Sequence, residues 1–329
     1  MEGITLKELQ DVHENLKKHP NMFFETPLLS HVEQQLKKEL PSLKSLSLKL
    51  ESMQCTGSFK ARGVLNQFLS LKPADRGKTL VTMSAGNYGK AFAYVASIEK
   101  LPALVFMPET APIDRKHMIE SLGANVILCP RNQLLNNVEK HTEENGSLFL
   151  HSFDDPVLLK GNASAGLELA NQMSEQPDIV VVCCGGGGFL AGVSLALKLL
   201  GWTSTKIYGV EPEAAPTMYE ALQAGKVVHT EVRDTIAAGL APPFAGKHCF
   251  EVIQQHVEDV ILVSDDEIRK AISCLFKLGL VVEPSGAAAF AALLHHKVPD
   301  TMNKNVVVFL TGGNVSPEDL TKHINEAKK

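Results

Sequence analysis

Short runs rich in β-branched and other apolar residues recur at 45–51, 79–83, 103–107, 125–129, 178–184, 206–210, 260–263 and 305–310. Stretches with helical period lie between most of them. This alternation constrains the fold more than any other feature. Strand–helix–strand repeats close as parallel pairs with the helix laid over the sheet, so an α/β protein with mostly parallel sheets is predicted. Helix starts are marked in places. Thr5 with Glu8 and Ser264 with Glu267 have capping-box spacing, and Pro317 follows Ser316 at a first helical position. Across 329 residues there is no repeat and no linker rich in Pro, Gly or Ser. Two lobes sharing an extensive interface are therefore expected. Residues 78–150 read as a small βαβαβα lobe, and residues 1–77 join 151–329 in a larger one.

Open parallel sheets bind ligands at the carboxyl ends of their strands. Three such ends are unusual. Ser84-Ala85-Gly86-Asn87-Tyr88-Gly89 follows the run 79–83 and leads into a helix near Asn87. It reads as an anion site for a carboxylate or as a tight, capped turn. Gly185-Gly186-Gly187-Gly188 follows 178–184. A loop stripped of every Cβ can wrap a phosphate with the next helix N-terminus behind it, and a purely structural turn would not need four glycines. No Lys-Ser/Thr follows, so this is not a P-loop. Thr311-Gly312-Gly313-Asn314 places a hydroxyl at a third strand end. A competing pattern overlaps the second loop: Gly186 to Ala191 fits G-x-G-x-x-A, and Glu211 stands where a ribose-binding acid belongs. An NAD-dependent enzyme stays open on local pattern alone.

Composition narrows the class. Lys plus Arg is 32 against 37 Asp plus Glu, a net charge of −5. Neither nucleic acid nor a membrane surface is expected as a partner. No apolar run has the length of a membrane span, and the first 19 residues are charged and amphipathic without a signal-like core. The six cysteines have no CxxC spacing, which suits reduced thiols in the cytoplasm. The histidines form no HxH or HExxH pattern, so no zinc site is expected.

A fourth segment decides between the readings: Glu51-Ser-Met-Gln-Cys-Thr-Gly-Ser-Phe-Lys-Ala-Arg-Gly63. Thr56 or Ser58 would cap a helix whose first turn carries Lys60. The string resembles the (S/T)GSFK-x-RG motif of fold-type II pyridoxal-phosphate enzymes. That family also carries an S-(A/S)-G-N loop, a tetraglycine loop, an E-P-(S/T/A)-G segment and an (S/T/C)-G-G-N segment. The chain has all of them in order, at 84–87, 185–188, 283–286 and 311–314. The resemblance covers essentially the whole chain, and is nearest to serine/threonine dehydratases and serine racemases. It implies a two-lobed, tryptophan synthase β-like fold and pyridoxal 5'-phosphate as cofactor. Residues 1–77 plus 151–329 would bind the cofactor, and 78–150 would be the mobile lobe.

The resemblance also implies roles. Lys60 would form the Schiff base and act as base at Cα. Phe59 would stack on the pyridine ring and Asn87 would bond the ring hydroxyl. The amides of Gly185, Gly186, Gly187 and Gly188 would hold the phosphate. Thr311 would bond the ring nitrogen, and Gly239 would touch the cofactor through its backbone. Ser84, Ala85, Gly86, Asn87 and Tyr88 would take the substrate carboxylate. Phe153, in an FDDP string resembling that of dehydratases, would face the substrate. Glu283 would orient the imine or a water, or would cap a helix.

The same comparison favours elimination over racemisation. Racemases carry a serine acid–base group at the position of Ala85, and a methyl group relays no proton. Their substrate-side arginine has no match in residues 132–137. Thr311 offers a hydroxyl rather than a carboxylate, which weakens the electron sink and favours fast loss of a β-substituent. Other departures are Tyr88 in place of His, and Gly161-Asn162-Ala163-Ser164 in place of G-Q-G-T. Glu211 matches a racemase metal ligand, but the partner Asp position reads Thr217, so no metal is expected. The expectation is a homodimeric lyase that dehydrates and deaminates L-serine and/or L-threonine to a 2-oxo acid and ammonia. Alternatives are a serine or aspartate racemase, a hydroxyaspartate eliminase, an NAD oxidoreductase, or a silent amino-acid sensor.

Overall fold

Each of the eight apolar runs becomes a strand in the computed structural model, which describes residues 3–111 and 113–327. Two further strands, of two residues each, have no counterpart in the sequence pattern. In chain order the strands are β1 (Leu28–Leu29), β2 (Ser45–Lys49), β3 (Leu80–Met83), β4 (Ala103–Pro108), β5 (Asn125–Cys129), β6 (Leu148–Phe149), β7 (Ile179–Cys183), β8 (Lys206–Pro212), β9 (Asp259–Val263) and β10 (Asn305–Phe309). They form a six-stranded sheet ordered β1-β2-β10-β7-β8-β9 and a four-stranded sheet ordered β5-β4-β3-β6. Every pairing is parallel except β1 with β2.

The large sheet is covered on both faces. Along β7 and β10 successive side chains alternate between two cores, as the period of 2 requires. Val181, Val306 and Val308 pack towards the helix Pro284–Leu294. Val180, Val182 and Val307 pack towards the helix Gly188–Leu199. Burial on both sides explains why these strands read as unbroken apolar runs.

The small sheet borrows its cover. Leu80, Val105 and Met107 share a core with Phe92 and Val95 of the helix Asn87–Glu99. Val64, Leu65 and Phe68 of the helix Lys60–Leu69, with Leu16 and Phe23, complete that core from outside 78–150.

Both capping boxes form, at Thr5/Glu8 and Ser264/Glu267, and Ser316 caps the helix that begins at Pro317. The run 45–51 stops short at Lys49, because Glu51 enters a 3-10 turn (Glu51–Met53) and buries its carboxylate. Three helices then meet through glycines. A Cβ on Gly161 of the helix Pro156–Gln172 would lie 2.6 Å from the Arg62 carbonyl and 2.8 Å from the Gly63 Cα. One on Gly192 would lie 2.8 Å from the Leu159 carbonyl. Backbones this close fix the Lys60 helix against the helix that follows the glycine loop. No described helix is long and apolar enough to cross a membrane, and the six cysteines are free.

Candidate active site

The carboxyl ends of β3, β7 and β10 converge on the start of the helix Lys60–Leu69. Ser58 bridges Gly312, and the Phe59 amide donates to the Thr311 carbonyl at 3.1 Å. The Phe59 ring packs 4.2 Å from that of Phe189, just past the glycine loop. Thr56 and Ser58 do not cap the helix, contrary to the sequence expectation: its N-cap is Phe59, with no side-chain cap. The segment runs instead alongside Thr311 and Gly312, which turns both hydroxyls inward, buried and without a protein partner.

Lys60 is half-buried. Its Nζ donates to the Ser152 carbonyl at 3.0 Å and lies 5.0 Å from the Phe59 ring centre and 5.6 Å from that of Tyr88. Burial pushes its pKa down to about 8. Two residues on, Arg62 is wholly buried. Its guanidinium donates to Glu51 (2.7 and 2.8 Å), Glu168 (2.6 and 2.8 Å) and Ser164 (2.9 Å). Lys49 joins Glu168 at 2.7 Å. Burial opposes the Arg62 charge, but Glu168 and Glu51 outweigh it and raise its pKa. Two cations and two carboxylates thus form a neutral, satisfied mount behind Lys60.

Asn87, at the start of its helix, donates to the Glu283 carboxylate and accepts from Asn314 at 2.8 Å. Lys90 donates to Asn314 at 2.6 Å. Glu283 precedes the helix Pro284–Leu294 but makes no side-chain cap, so the capping alternative fails. Burial pushes its pKa up to about 7, against the pull of the Asn87 hydrogen bond, Arg115 and Lys90. Ser84 Oγ accepts from the Gly86 and Gly89 amides at 3.3 and 3.1 Å. The Ala85 carbonyl accepts from Arg115 at 3.3 Å. Tyr88 is buried, with its hydroxyl held by Gln67 at 2.6 Å, so it turns a ring rather than a hydroxyl towards Lys60.

The glycine loop is tighter than its sequence suggested. A Cβ on Gly186 would run into the Phe153 ring, and one on Gly188 would lie 2.7 Å from the Phe153 carbonyl. A Cβ on Gly185 would lie 3.1 Å from the Leu240 Cα, and Gly187 has φ +97°. Protein packing and backbone conformation therefore already demand glycine at 186, 187 and 188 and make 185 tight, so a purely structural turn would need glycines here too. The anion argument rests on the amides instead. None of the N–H groups of Gly185–Gly188 donates to a protein acceptor among the described residues. Gly239 lies across this loop, its amide donating to Ser285 at 3.0 Å. Thr311 is buried just past the end of β10, and the Cys183 thiol, which accepts from the Ala289 amide at 3.4 Å, is pushed up to about 11 by burial.

Glu211 is buried at the end of β8, and both its oxygens accept amides of the helix Thr217–Ala224, from Met218 (2.8 Å) and Tyr219 (3.0 Å). Burial pushes its pKa up to about 8. With both oxygens so engaged, it is not placed as a ribose ligand, and the dinucleotide reading loses its acid.

Four neighbours escaped the sequence reading of the site. Arg115, from the helix Ile113–Ser121, reaches the substrate loop and has no ion-pair partner among the described residues. His151 accepts from the Asp154 and Phe153 amides at Nδ1 (2.9 and 3.3 Å), so its neutral ring is protonated at Nε2, and burial lowers its pKa. Asn314 closes the Asn87 network. Phe244 meets Phe153 at 5.6 Å. Only Asn314 stood inside a motif assigned to the site. His151 lies two residues before Phe153, whereas Arg115 and Phe244 arrive from distant segments without a local pattern.

Comparison with known proteins defines the class. The chain matches the family described as "Pyridoxal-phosphate dependent enzyme" over residues 22–312, and it belongs to that family. It is similar to the L-threonine ammonia-lyase of Geobacter sulfurreducens, 38% identical over 279 residues, covering 83% of this chain and 68% of that one. It is also similar to the serine racemase of Homo sapiens, 34% identical over 336 residues, covering 99% and 95%. Among solved structures, the serine racemase of Dictyostelium discoideum superposes with a TM-score of 0.84 at 31% identity, covering 95% of this chain and 99% of that one. The fold is fold-type II, the chain is an enzyme of the serine/threonine dehydratase-like family, and its cofactor is pyridoxal 5'-phosphate. The residues fit that group. Unpaired loop amides suit a phosphate, the orphaned Thr56 and Ser58 hydroxyls offer polar contacts, and a lysine near pKa 8 is readily neutral.

Proposed function

We propose that the chain eliminates the β-hydroxyl of L-serine and/or L-threonine to give a 2-oxo acid and ammonia. The observation that carries this reading is Ala85. Its methyl group stands in the loop expected to hold the substrate carboxylate, at the position where racemisation needs a proton relay. Bound pyridoxal phosphate supplies electron withdrawal at Cα. Lys60 Nζ, neutral above about pH 8, holds the cofactor and takes the Cα proton. The amides of Gly185, Gly186, Gly187 and Gly188 hold the phosphate. Phe59 supports the ring, with Asn87, Thr311 and the backbone of Gly239 at its edge. The loop from Ser84 to Tyr88 takes the carboxylate, with Arg115 adding positive charge at Ala85. Glu283 orients Asn87 through their hydrogen bond. This reading includes residues 78–150 as the mobile lobe and a cytoplasmic homodimer; the homodimer is tested by light scattering, where twice the chain mass is the expected result and the chain mass alone overturns it.

The test is 2-oxo acid release by the holoenzyme from L-serine, L-threonine, D-serine and L-threo-3-hydroxyaspartate, with chiral analysis of the remaining substrate. Rapid oxo acid with unchanged chirality is expected, and Ala85→Ser should add racemisation. Inverted substrate with little oxo acid from the unaltered enzyme overturns the reading.

A further inference from the structure

Phe153 and Phe244 form a ring pair that the cofactor contacts above leave unused. The Phe153 ring lies directly on Gly186. It meets Phe244 at 5.6 Å and 52°, and the edge of His151 at 4.6 Å and 79°. Backbone ties fix both rings relative to the chemistry. The preceding Ser152 carbonyl accepts from Lys60 Nζ at 3.0 Å. Two residues past Phe244, the Gly246 amide donates to the Gly186 carbonyl at 3.0 Å. Asp154 accepts from the Lys247 and His248 amides at 2.9 and 3.0 Å, which locks the 151–154 loop to the 244–248 segment. The pair therefore borders the space between the lysine amine and the glycine loop. Both rings are partly buried, so each keeps some apolar surface uncovered by the protein.

We infer that Phe153 and Phe244 form an apolar subsite for the substrate's β-substituent, with Phe244 as a specificity-determining residue. The substrate class is then β-hydroxy amino acids with an apolar β-group, threonine and 3-phenylserine, ahead of serine. This rests on the β-elimination reading. A methyl stacked on a phenyl face leaves water, and a phenyl group can stack in offset on the pair. An acidic side chain fits poorly. Asp154 and Asp155 follow Phe153 directly, and neither forms an ion pair with a lysine or arginine among the described residues. One methyl in an apolar pocket changes discrimination by about tenfold or more.

The experiment compares kcat/KM of the holoenzyme for L-threonine, 3-phenylserine, L-serine and 3-hydroxyaspartate. It is repeated in Phe244→Ser and Phe244→Leu. In parallel, L-2-aminobutyrate, L-alanine and L-aspartate, which carry no β-hydroxyl, are titrated against the bound cofactor's absorption band. Threonine is expected to exceed serine by about tenfold. The ratio should collapse in Phe244→Ser and persist in Phe244→Leu. Aminobutyrate should bind about tenfold tighter than alanine, with aspartate weakest. A threonine-to-serine ratio unmoved by Phe244→Ser, or alanine binding as tightly as aminobutyrate, overturns the subsite. If no substrate yields oxo acid, the elimination reading fails, while the ligand titrations still decide the subsite.

Discussion

Lys60→Met in the cofactor-free protein tests the physical picture of the lysine slot. In the native fold Nζ has one hydrogen-bond acceptor, the Ser152 carbonyl, and two aromatic rings at 5.0 and 5.6 Å. No carboxylate among the described residues pairs with it, and burial lowers its pKa from 10.5 to about 8. The unfolded chain keeps the proton up to the ordinary value, so between these limits it binds more protons than the native state. Stability therefore rises with pH across that window, and below about pH 8 the full cost of the buried ammonium is present. At about 1.4 kcal/mol for each pH unit of the window, that cost is about 3 kcal/mol.

Methionine has a similar length and no charge, so its own packing effect does not vary with pH. Urea unfolding of the two apoproteins at pH 7 and pH 10 isolates the charge. The stability advantage of Lys60→Met should shrink by about 2.5 kcal/mol between the two pH values. Tyrosine and cysteine titrations common to both proteins cancel in the difference. An advantage that does not change with pH refutes the argument, because the amine would then be as well solvated folded as unfolded.

Other outcomes follow from the same contacts. Arg62→Met strands the buried Glu51 and Glu168 carboxylates and should cost about 3–5 kcal/mol in urea unfolding. Gly161→Ala drives a methyl against the Arg62 carbonyl and Gly63. It should cost about 1–3 kcal/mol and weaken cofactor binding in a pyridoxal phosphate titration, by displacing the Lys60 helix. Treatment of the holoenzyme with a chelator should leave its melting temperature and activity unchanged, since both Glu211 oxygens are taken by helix amides.

The strands were legible because burial on two faces writes a continuous apolar run, as in β7 and β10. β1 and β6, at two residues each, are too short to show a period, and their pairing is decided by neighbours. The end of β2 was misplaced by two residues because Glu51 leaves the strand to meet Arg62, a contact eleven residues away that no local pattern announces. Within the site, the motif residues do converge: Phe59, Lys60, Asn87, Glu283 and Thr311 lie at adjoining helix starts and strand ends. Their partners were not readable. Arg115 and Phe244 reach the site from a helix and a loop whose local sequences look like ordinary surface. The glycine loop was read for what it could bind, whereas the Cβ clashes show that Phe153, Leu240 and backbone conformation already demand glycine there.

The charges on the two sides of the Lys60 helix are arranged differently, and the difference bears on the chemistry. Behind it, Arg62, Lys49, Glu51 and Glu168 are buried as a balanced set. Removing any one of them leaves an uncompensated charge, so the mount resists displacement. In front, Lys60 and Glu283 have no equal and opposite partner in contact, and burial moves both towards their neutral forms, near pH 8 and pH 7. A cleft whose own groups are easily neutral carries little fixed charge to compete with that of a zwitterionic ligand. Arg115, charged and unpaired at the rim, can then select the carboxylate end. On the proposed reading the amine end would face Lys60, and the side chain would lie between Lys60 and the Phe153–Phe244 pair. If orientation follows from where charge is left unbalanced, Arg115→Met should raise KM for amino acids more than it lowers kcat.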